Sequence, residues 1–259
     1  MNTKTDSSRP GKNTIALSVV LGILVLLLIA LAVFYPAYIN KWQYKIYGGM
    51  TPELKDSELY EDMRSGKSFC FMGDSITYGS FTEGIGWYIP LTNYIKGDVS
   101  NLSFGGWKVL DLIDHRASIP EADIYVIAIG INDILFFDHE QSAHTASELT
   151  DRLDRLSDII FEISPEAKLY FISPWTFVNQ VEFYNERGLQ LRTTFSDWCS
   201  SKGFIYLDAD TVILSVLEKE DPGKYMLNDF HPNSNKGAGL FSYAVLKADH
   251  ERRMSEQGT

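Results

Sequence analysis

The side chains best suited to chemistry in this sequence fall in four short blocks. They are Gly73-Asp74-Ser75, "NLSFGG" ending at Gly106, Gly130-Ile131-Asn132-Asp133, and "DFHPN" around His231. A serine hydroxyl is a weak nucleophile at neutral pH and needs a base to take its proton. An imidazole, with an ordinary pKa of about 6.5, is suited to that task. Ser75 and His231 are therefore the candidate nucleophile and base of an acyl-transfer site. Such a site also needs hydrogen-bond donors aimed at the developing oxyanion. The backbone N–H groups of Ser75 and Gly106 and the side-chain amide of Asn132 are the candidates, glycine because it lets backbone approach a ligand closely.

These blocks are far apart in the chain, so the elements between them must bring them together. "KSFCFMG" before Ser75 reads as a short buried strand, and "GWYIPLTNYIKG" as a helix with Pro90 near its start or at a kink. "DVSNLSF" is a second strand and "WKVLDLIDHR" a second helix. "ADIYVIAIG" is continuously apolar and rich in β-branched residues, as expected of a strand covered on both faces. The helix after it carries Leu149, Leu153, Leu156, Ile160 and Ile163 on one stripe. Strand "KLYFIS", a helix with Leu191, Phe195 and Trp198, strand "GFIYLDA" and a last helix ending near Lys247 complete the pattern. Strands alternating with helices predict an α/β fold: a three-layer α/β/α domain around a five-stranded parallel sheet. Ligands in such sheets bind beyond the carboxyl ends of the strands. Ser75, Gly105, Gly106, Asn132 and Trp175 all fall at such ends.

Other residues invite weaker readings. A serine in a strand-to-helix turn is also a common helix cap, and Asp74 and Asp133 read as local hydrogen-bonding groups. Trp87, Trp107 and Trp175 flank the expected pocket edge, as stacking surfaces for a sugar or as packing. Asp138, His139, Glu140 and His144 match no zinc spacing and read as a solvated loop. Cys70 and Cys199 both lie in apolar segments, and spacing alone does not decide whether they pair.

The first 35 residues do not belong to that pattern. Ile15 to Tyr35 runs 21 residues without a charge, about 30 Å as a helix and enough to cross a bilayer. Lys4, Arg9 and Lys12 precede it, which predicts a cytoplasmic N-terminus and an extracytoplasmic remainder. The expected plan is a cytoplasmic tail at 1–13, a transmembrane signal-anchor helix at 14–35 and a juxtamembrane connector at 36–67. A catalytic domain at 68–250 and a tail at 251–259 follow. Cleavage after Ala30-Leu31-Ala32 is the competing reading. Beyond residue 35 the chain carries 20 Lys and Arg against 33 Asp and Glu. That balance disfavours nucleic acid as a partner.

In their order and spacing the four blocks resemble the SGNH (GDSL-type) hydrolase family, across roughly Ser68 to Lys247. The resemblance implies a flavodoxin-like fold and esterase chemistry without cofactor or metal. It makes Ser75 the nucleophile, Gly106 and Asn132 oxyanion donors and His231 the base. The family usually has Asp three residues before the histidine, where this chain has Asn228, and Asp229 is only two before; the resemblance implies that Asp229 orients the His231 ring, with Asn228 or a backbone carbonyl as the alternatives. The expected substrate is an O-acyl, above all O-acetyl, group on an envelope or extracellular glycan. Acyl transfer to such a glycan, lipid or lysophospholipid hydrolysis, and an inactive binding module are the alternatives.

Overall fold

The computed structural model describes residues 20–29, 44–136, 138–139, 141–175, 178 and 182–258. Glu140 and the parts of the expected anchor at 14–19 and 30–35 lie outside them. Residues 20–29 are helical and exposed. Among the described residues no helix is long and apolar enough to cross a membrane. The chain divides at Gln43/Tyr44, and the fold below is that of Tyr44–Thr259.

Five parallel strands form the sheet: β1 Phe69–Gly73, β2 Val99–Ser103, β3 Ile124–Ala128, β4 Lys168–Ile172 and β5 Ile205–Leu207. Their order is β2-β1-β3-β4-β5, so the winding direction reverses at β1. With right-handed crossovers, that reversal sends the helices after β1 to one face and those after β2, β3 and β4 to the other. The strand sequences agree. Every side chain of β1 and β3 is buried, while edge strand β2 alternates exposed and covered positions.

One helical layer holds α5 Val109–Asp114, α7 Ala146–Ile163 and α8 Glu182–Lys202. Thr145 caps α7 by accepting the Glu148 N–H, and Leu149, Leu153, Leu156 and Ile160 bury its apolar stripe. The other layer is organised by α10 Lys236–Gln257, which packs on α1 Pro52–Lys55, α2 Glu58–Arg64, α4 Ile89–Thr92 and α9 Ala209–Leu217. Cys70 and Cys199 are free buried thiols.

Three expectations need correction. Residues 44–67 are folded domain, not connector: Leu54, Leu59 and Met63 are core residues. Lys168 Nζ on β4 reaches Glu58 and Asp62 of α2 at 2.6 Å each, and the Tyr170 hydroxyl donates to Asp62 at 2.7 Å. The last helix continues to Gln257, because its second half is needed there: buried Asp249 accepts the Leu59 N–H at 2.6 Å. The segment around Pro90 is helical for only one turn, Ile89–Thr92. The ring that suits its start removes the donor a longer helix would need upstream.

The registers decide where loops meet. Gly73 pairs with Ser103 on one side and Ala128 on the other, so β1, β2 and β3 end level. Gly73 itself is sterically required. A Cβ there would overlap the Ala128 carbonyl oxygen and the Thr77 hydroxyl that receives the Trp87 indole N–H. Gly73→Ala is therefore expected to cost about 1–3 kcal/mol as strands and turn are forced apart. Urea unfolding of the variant measures it; an unchanged midpoint would show that the strand ends have room to relax.

Candidate active site

Ser75 opens a one-turn helix, α3 Ser75–Tyr78, directly after β1. Asp74 caps that turn by accepting the Ile76 N–H at 3.0 Å, and Gly79, at φ 77°, ends it in the left-handed region. The turn is thus fixed at both ends, with Ser75 held at its first position. A first-turn N–H has no acceptor within its own helix, so the Ser75 amide is available to a ligand.

His231 arrives from a different part of the chain. Its loop is closed by the Met226–Pro232 bridge, by Leu227 N–H donating to the His231 carbonyl at 2.8 Å, and by Asn233 N–H donating to Tyr225 at 2.7 Å. The Nε2 atom lies 2.9 Å from Ser75 Oγ, and both residues are buried. The Phe81 and Phe230 rings flank the imidazole at centroid distances of 4.5 and 4.3 Å. This burial pushes the imidazole pKa down to about 4, so His231 is neutral and able to accept a proton at pH 7.

The partner of Nδ1 is Asn228 rather than the expected Asp229. Asn228 Oδ1 accepts the N–H groups of Phe230 and His231 at 3.1 and 2.9 Å, which bends its side chain back over the loop. The bend places Oδ1 and Nδ2 at 3.2 and 3.1 Å from Nδ1. The residue three before the histidine is therefore the one the turn brings to the ring. The Asp229 carbonyl instead accepts the Val178 N–H at 2.8 Å.

The amide leaves the tautomer weakly determined. With the proton on Nδ1, Asn228 Oδ1 takes a third donor and Nε2 is free to accept from Ser75. With the proton on Nε2, Asn228 Nδ2 donates to Nδ1 and the ring faces Ser75 the wrong way for a base. A carboxylate would favour the first arrangement and stabilise the imidazolium.

The oxyanion candidates lie on the two loops that end level with Ser75. Gly106, at φ 81°, follows β2, and a Cβ on neighbouring Gly105 would come within 3.1 Å of Ser80 Oγ. Asn132 lies in the first turn of α6 Ile131–Leu135. Its Nδ2 donates one proton to the Trp107 carbonyl at 2.9 Å, tying the glycine loop to α6 and leaving the second proton. Asp133, fully buried, extends the tie by accepting the Val109 and Ala143 N–H groups at 3.3 and 3.2 Å. Burial raises its carboxyl to about 6 and the Asp74 carboxyl to about 7; Asp74 also feels Asp133, and its Oδ2 has no hydrogen-bond partner among the described residues.

Of the three tryptophans, Trp87 and Trp175 are core, packed edge to face at 5.8 Å. Trp107 alone is partly exposed at the site. Tryptophan type alone does not find the other exposed aromatics near the blocks: Tyr78 and Phe81, three and six residues after Ser75, and Phe104, inside the glycine block, are 45%, 65% and 55% exposed, and Phe81 lines the cavity beside His231.

A family profile described as the GDSL-like lipase/acylhydrolase family matches residues 71–235. No curated protein matches the chain. Among solved structures, the acetylxylan esterase Axe2 of Geobacillus stearothermophilus aligns with a TM-score of 0.58 at 18% identity, over 73% of this chain and 96% of its own. LAE5, an α/β hydrolase from the metagenome of Lake Arreo, aligns with 0.57 at 20%, over 71% and 95%. A protein of Parabacteroides merdae described as a GDSL-like lipase aligns with 0.58 at 17%, over 72% and 97%. These likenesses show the fold. Catalytic mutants of the Geobacillus enzyme replace a serine, an aspartate and the histidine three positions after that aspartate.

Two outcomes follow from this geometry. The acid limb of kcat/KM reports protonation of the free base, so it should fall near pH 4, the lowered value of His231. Asn228→Asp should move that limb upward and raise kcat at least about tenfold; in a serine protease the reverse change costs about 10⁴. A pH–rate series on both proteins checks this, and a drop in kcat in the Asn228→Asp variant would mean another group orients the ring.

The second concerns Asp74. Its folded pKa is raised above the ordinary 3.8, so its contribution to stability is full below that value and is lost as pH rises through about 7. Asp74→Asn keeps an acceptor for Ile76 and removes the titration. Unfolding free energies measured from about pH 5 to 8 should decline less steeply in the variant, whereas parallel curves would remove Asp74 as the source.

Proposed function

The chain belongs to the GDSL-like lipase/acylhydrolase family and is a carboxylic ester hydrolase, and we propose that it removes acetyl groups from a neutral glycan outside the cytoplasm. The observation that carries the acyl part of this reading is the size of the space at the nucleophile. The cavity bounded by Ser75, Ile76, Thr82, Ile85 and His231 holds about 10 Å³, room for roughly one water-sized group. A methyl group suits it, and a long acyl chain does not. The glycan part draws support from the acetylxylan esterase among the structural neighbours. The location rests on the apolar run at 15–35 and the cations before it, acting as a retained anchor.

In this mechanism Ser75 Oγ bonds to the acetyl carbon while its proton passes to His231 Nε2. The carbonyl electron pair moves to the oxygen, where the Ser75 and Gly106 amides and the Asn132 side chain stabilise it. Collapse breaks the bond to the sugar oxygen, which takes the proton from Nε2. Water, deprotonated by the same nitrogen, then bonds to the acetyl carbon; collapse breaks the bond to Ser75 Oγ, which takes the proton back from Nε2, and acetate leaves. Every proton transfer uses one face of one imidazole, so the 2.9 Å contact serves both half-reactions.

Ser75→Ala should lower kcat on 4-nitrophenyl acetate at least about 10⁴-fold, as removal of the nucleophile does in a serine protease. The wild type should prefer the acetate over the octanoate ester at least about tenfold in kcat/KM. Full activity in the variant would end the serine mechanism, and preference for octanoate would end the acetyl assignment.

A further inference from the structure

The small cavity leaves open where the bulk of the substrate goes. An ester has two sides, and only the acyl side is confined here. The alcohol side must lie across the surface around Ser75, and that surface is unusually apolar for an exposed one. Tyr78 and Phe104 are 45% and 55% exposed, and their rings meet at 5.7 Å with a tilt of 52°. Phe104 continues into Trp107 at 6.0 Å and 43°. Exposed contiguous apolar surface of this kind marks an interaction site in a soluble domain.

Resting on the glycan reading above, we infer that Tyr78, Phe104 and Trp107 form a stacking subsite for the sugar ring that carries the ester. Four features support it. First, the residues are tied to the elements that carry the chemistry. Tyr78 lies one helical turn after Ser75, on the same side of α3. Phe104 is held through its N–H to the Gly73 carbonyl at 3.4 Å, and the Trp107 carbonyl is the acceptor for Asn132. Second, the platform extends beyond the three rings: the Trp107 ring packs on His115 at 4.5 Å. Third, it is separate from the acyl cavity, whose exposed aromatic is Phe81. Fourth, its charge is wrong for an anionic ligand. The nearby cation Lys108 is buried, with Nζ 5.5 Å from the Phe136 ring, and the chain beyond residue 35 is strongly acidic. An uncharged ring with apolar C–H faces and polar edges fits such a platform, because the faces meet the aromatic carbons while the hydroxyls stay in water.

The test compares two acetyl esters on the full chain in detergent, followed by acid release in a pH-stat. One is an O-acetylated xylo-oligosaccharide; the other is ethyl acetate, whose alcohol is too small to reach the rings. Tyr78→Ala and Phe104→Ala should each raise KM for the oligosaccharide about tenfold and leave kcat/KM on ethyl acetate within about twofold. Phe104→Tyr, which keeps a ring, should keep the wild-type KM. Equal losses on both esters, or no change on either, would overturn the subsite while leaving the glycan reading intact. A wild type that cleaves ethyl acetate and no acetylated oligosaccharide would overturn both.

Discussion

The hydrogen bond between Ser75 and His231 joins residues 156 apart in the chain, and no local preference sets its length. Each end is fixed by the fold. On the serine side, Gly73 lets β1 end hard against β3, and the Asp74 cap starts the one-turn helix at Ser75. On the histidine side, the 226–233 loop is locked to the start of α10: Asn233 accepts the Gly237 and Ala238 N–H groups at 2.9 Å each, and a Cβ at Gly237 would overlap the Tyr225 carbonyl oxygen. The far half of α10 is tied to α2 through Asp249 and Leu59, and α2 to β4 through Lys168. The last helix, whose final turns read as a tail in sequence, is thus the strut that holds the base in place.

Positioning the oxyanion donors has a thermodynamic cost. Asp74 and Asp133 are fully buried behind the site, and burial raises both carboxyls toward neutrality. Each accepts backbone N–H groups that no apolar residue of similar size could satisfy. Removing those acceptors would leave buried donors unpaired, which costs more than a typical hydrogen bond returns. The carboxyl acceptors are therefore kept where geometry at Ser75 and Asn132 depends on them. The core beneath, built around Trp87, Trp175, Phe71 and Phe241, offsets that cost with apolar burial.

The strands and the four site blocks were legible because their signals are local and repeated. β3 is an unbroken apolar run, and the serine, glycine and asparagine blocks sit where strands β1, β2 and β3 stop. The orienting residue was harder to read, since the count from His231 to Asp229 or Asn228 does not say which side chain a turn folds inward. That depends on Oδ1 of Asn228 capturing two N–H groups, a preference of Asn as much as of Asp. The extent of the domain was misjudged for another reason. Residues 44–67 and 251–257 are polar enough to resemble connectors, yet their ion pairs and few buried apolar side chains close the helical layer across α10. Residue type alone does not say which aromatics are exposed: two of the three tryptophans near the blocks are core, while Tyr78 and Phe104 are not.

The neutral partner of His231 and the aromatic surface bear on one another. An amide in place of a carboxylate gives less stabilisation to the imidazolium formed as Ser75 attacks, so the base alone is a modest catalyst. Rate can also come from binding energy at parts of the substrate that do not react, when that energy holds the carbonyl against the nucleophile and the oxyanion donors. A ring held between Tyr78, Phe104 and Trp107 would supply such energy next to the amide at Gly106. Small esters cannot draw on it and would meet only the weak dyad. On the proposed reading, selectivity for a large alcohol and a small acyl group would then arise without a deep pocket: the confined cavity would reject long chains, and the open aromatic surface would reward rings.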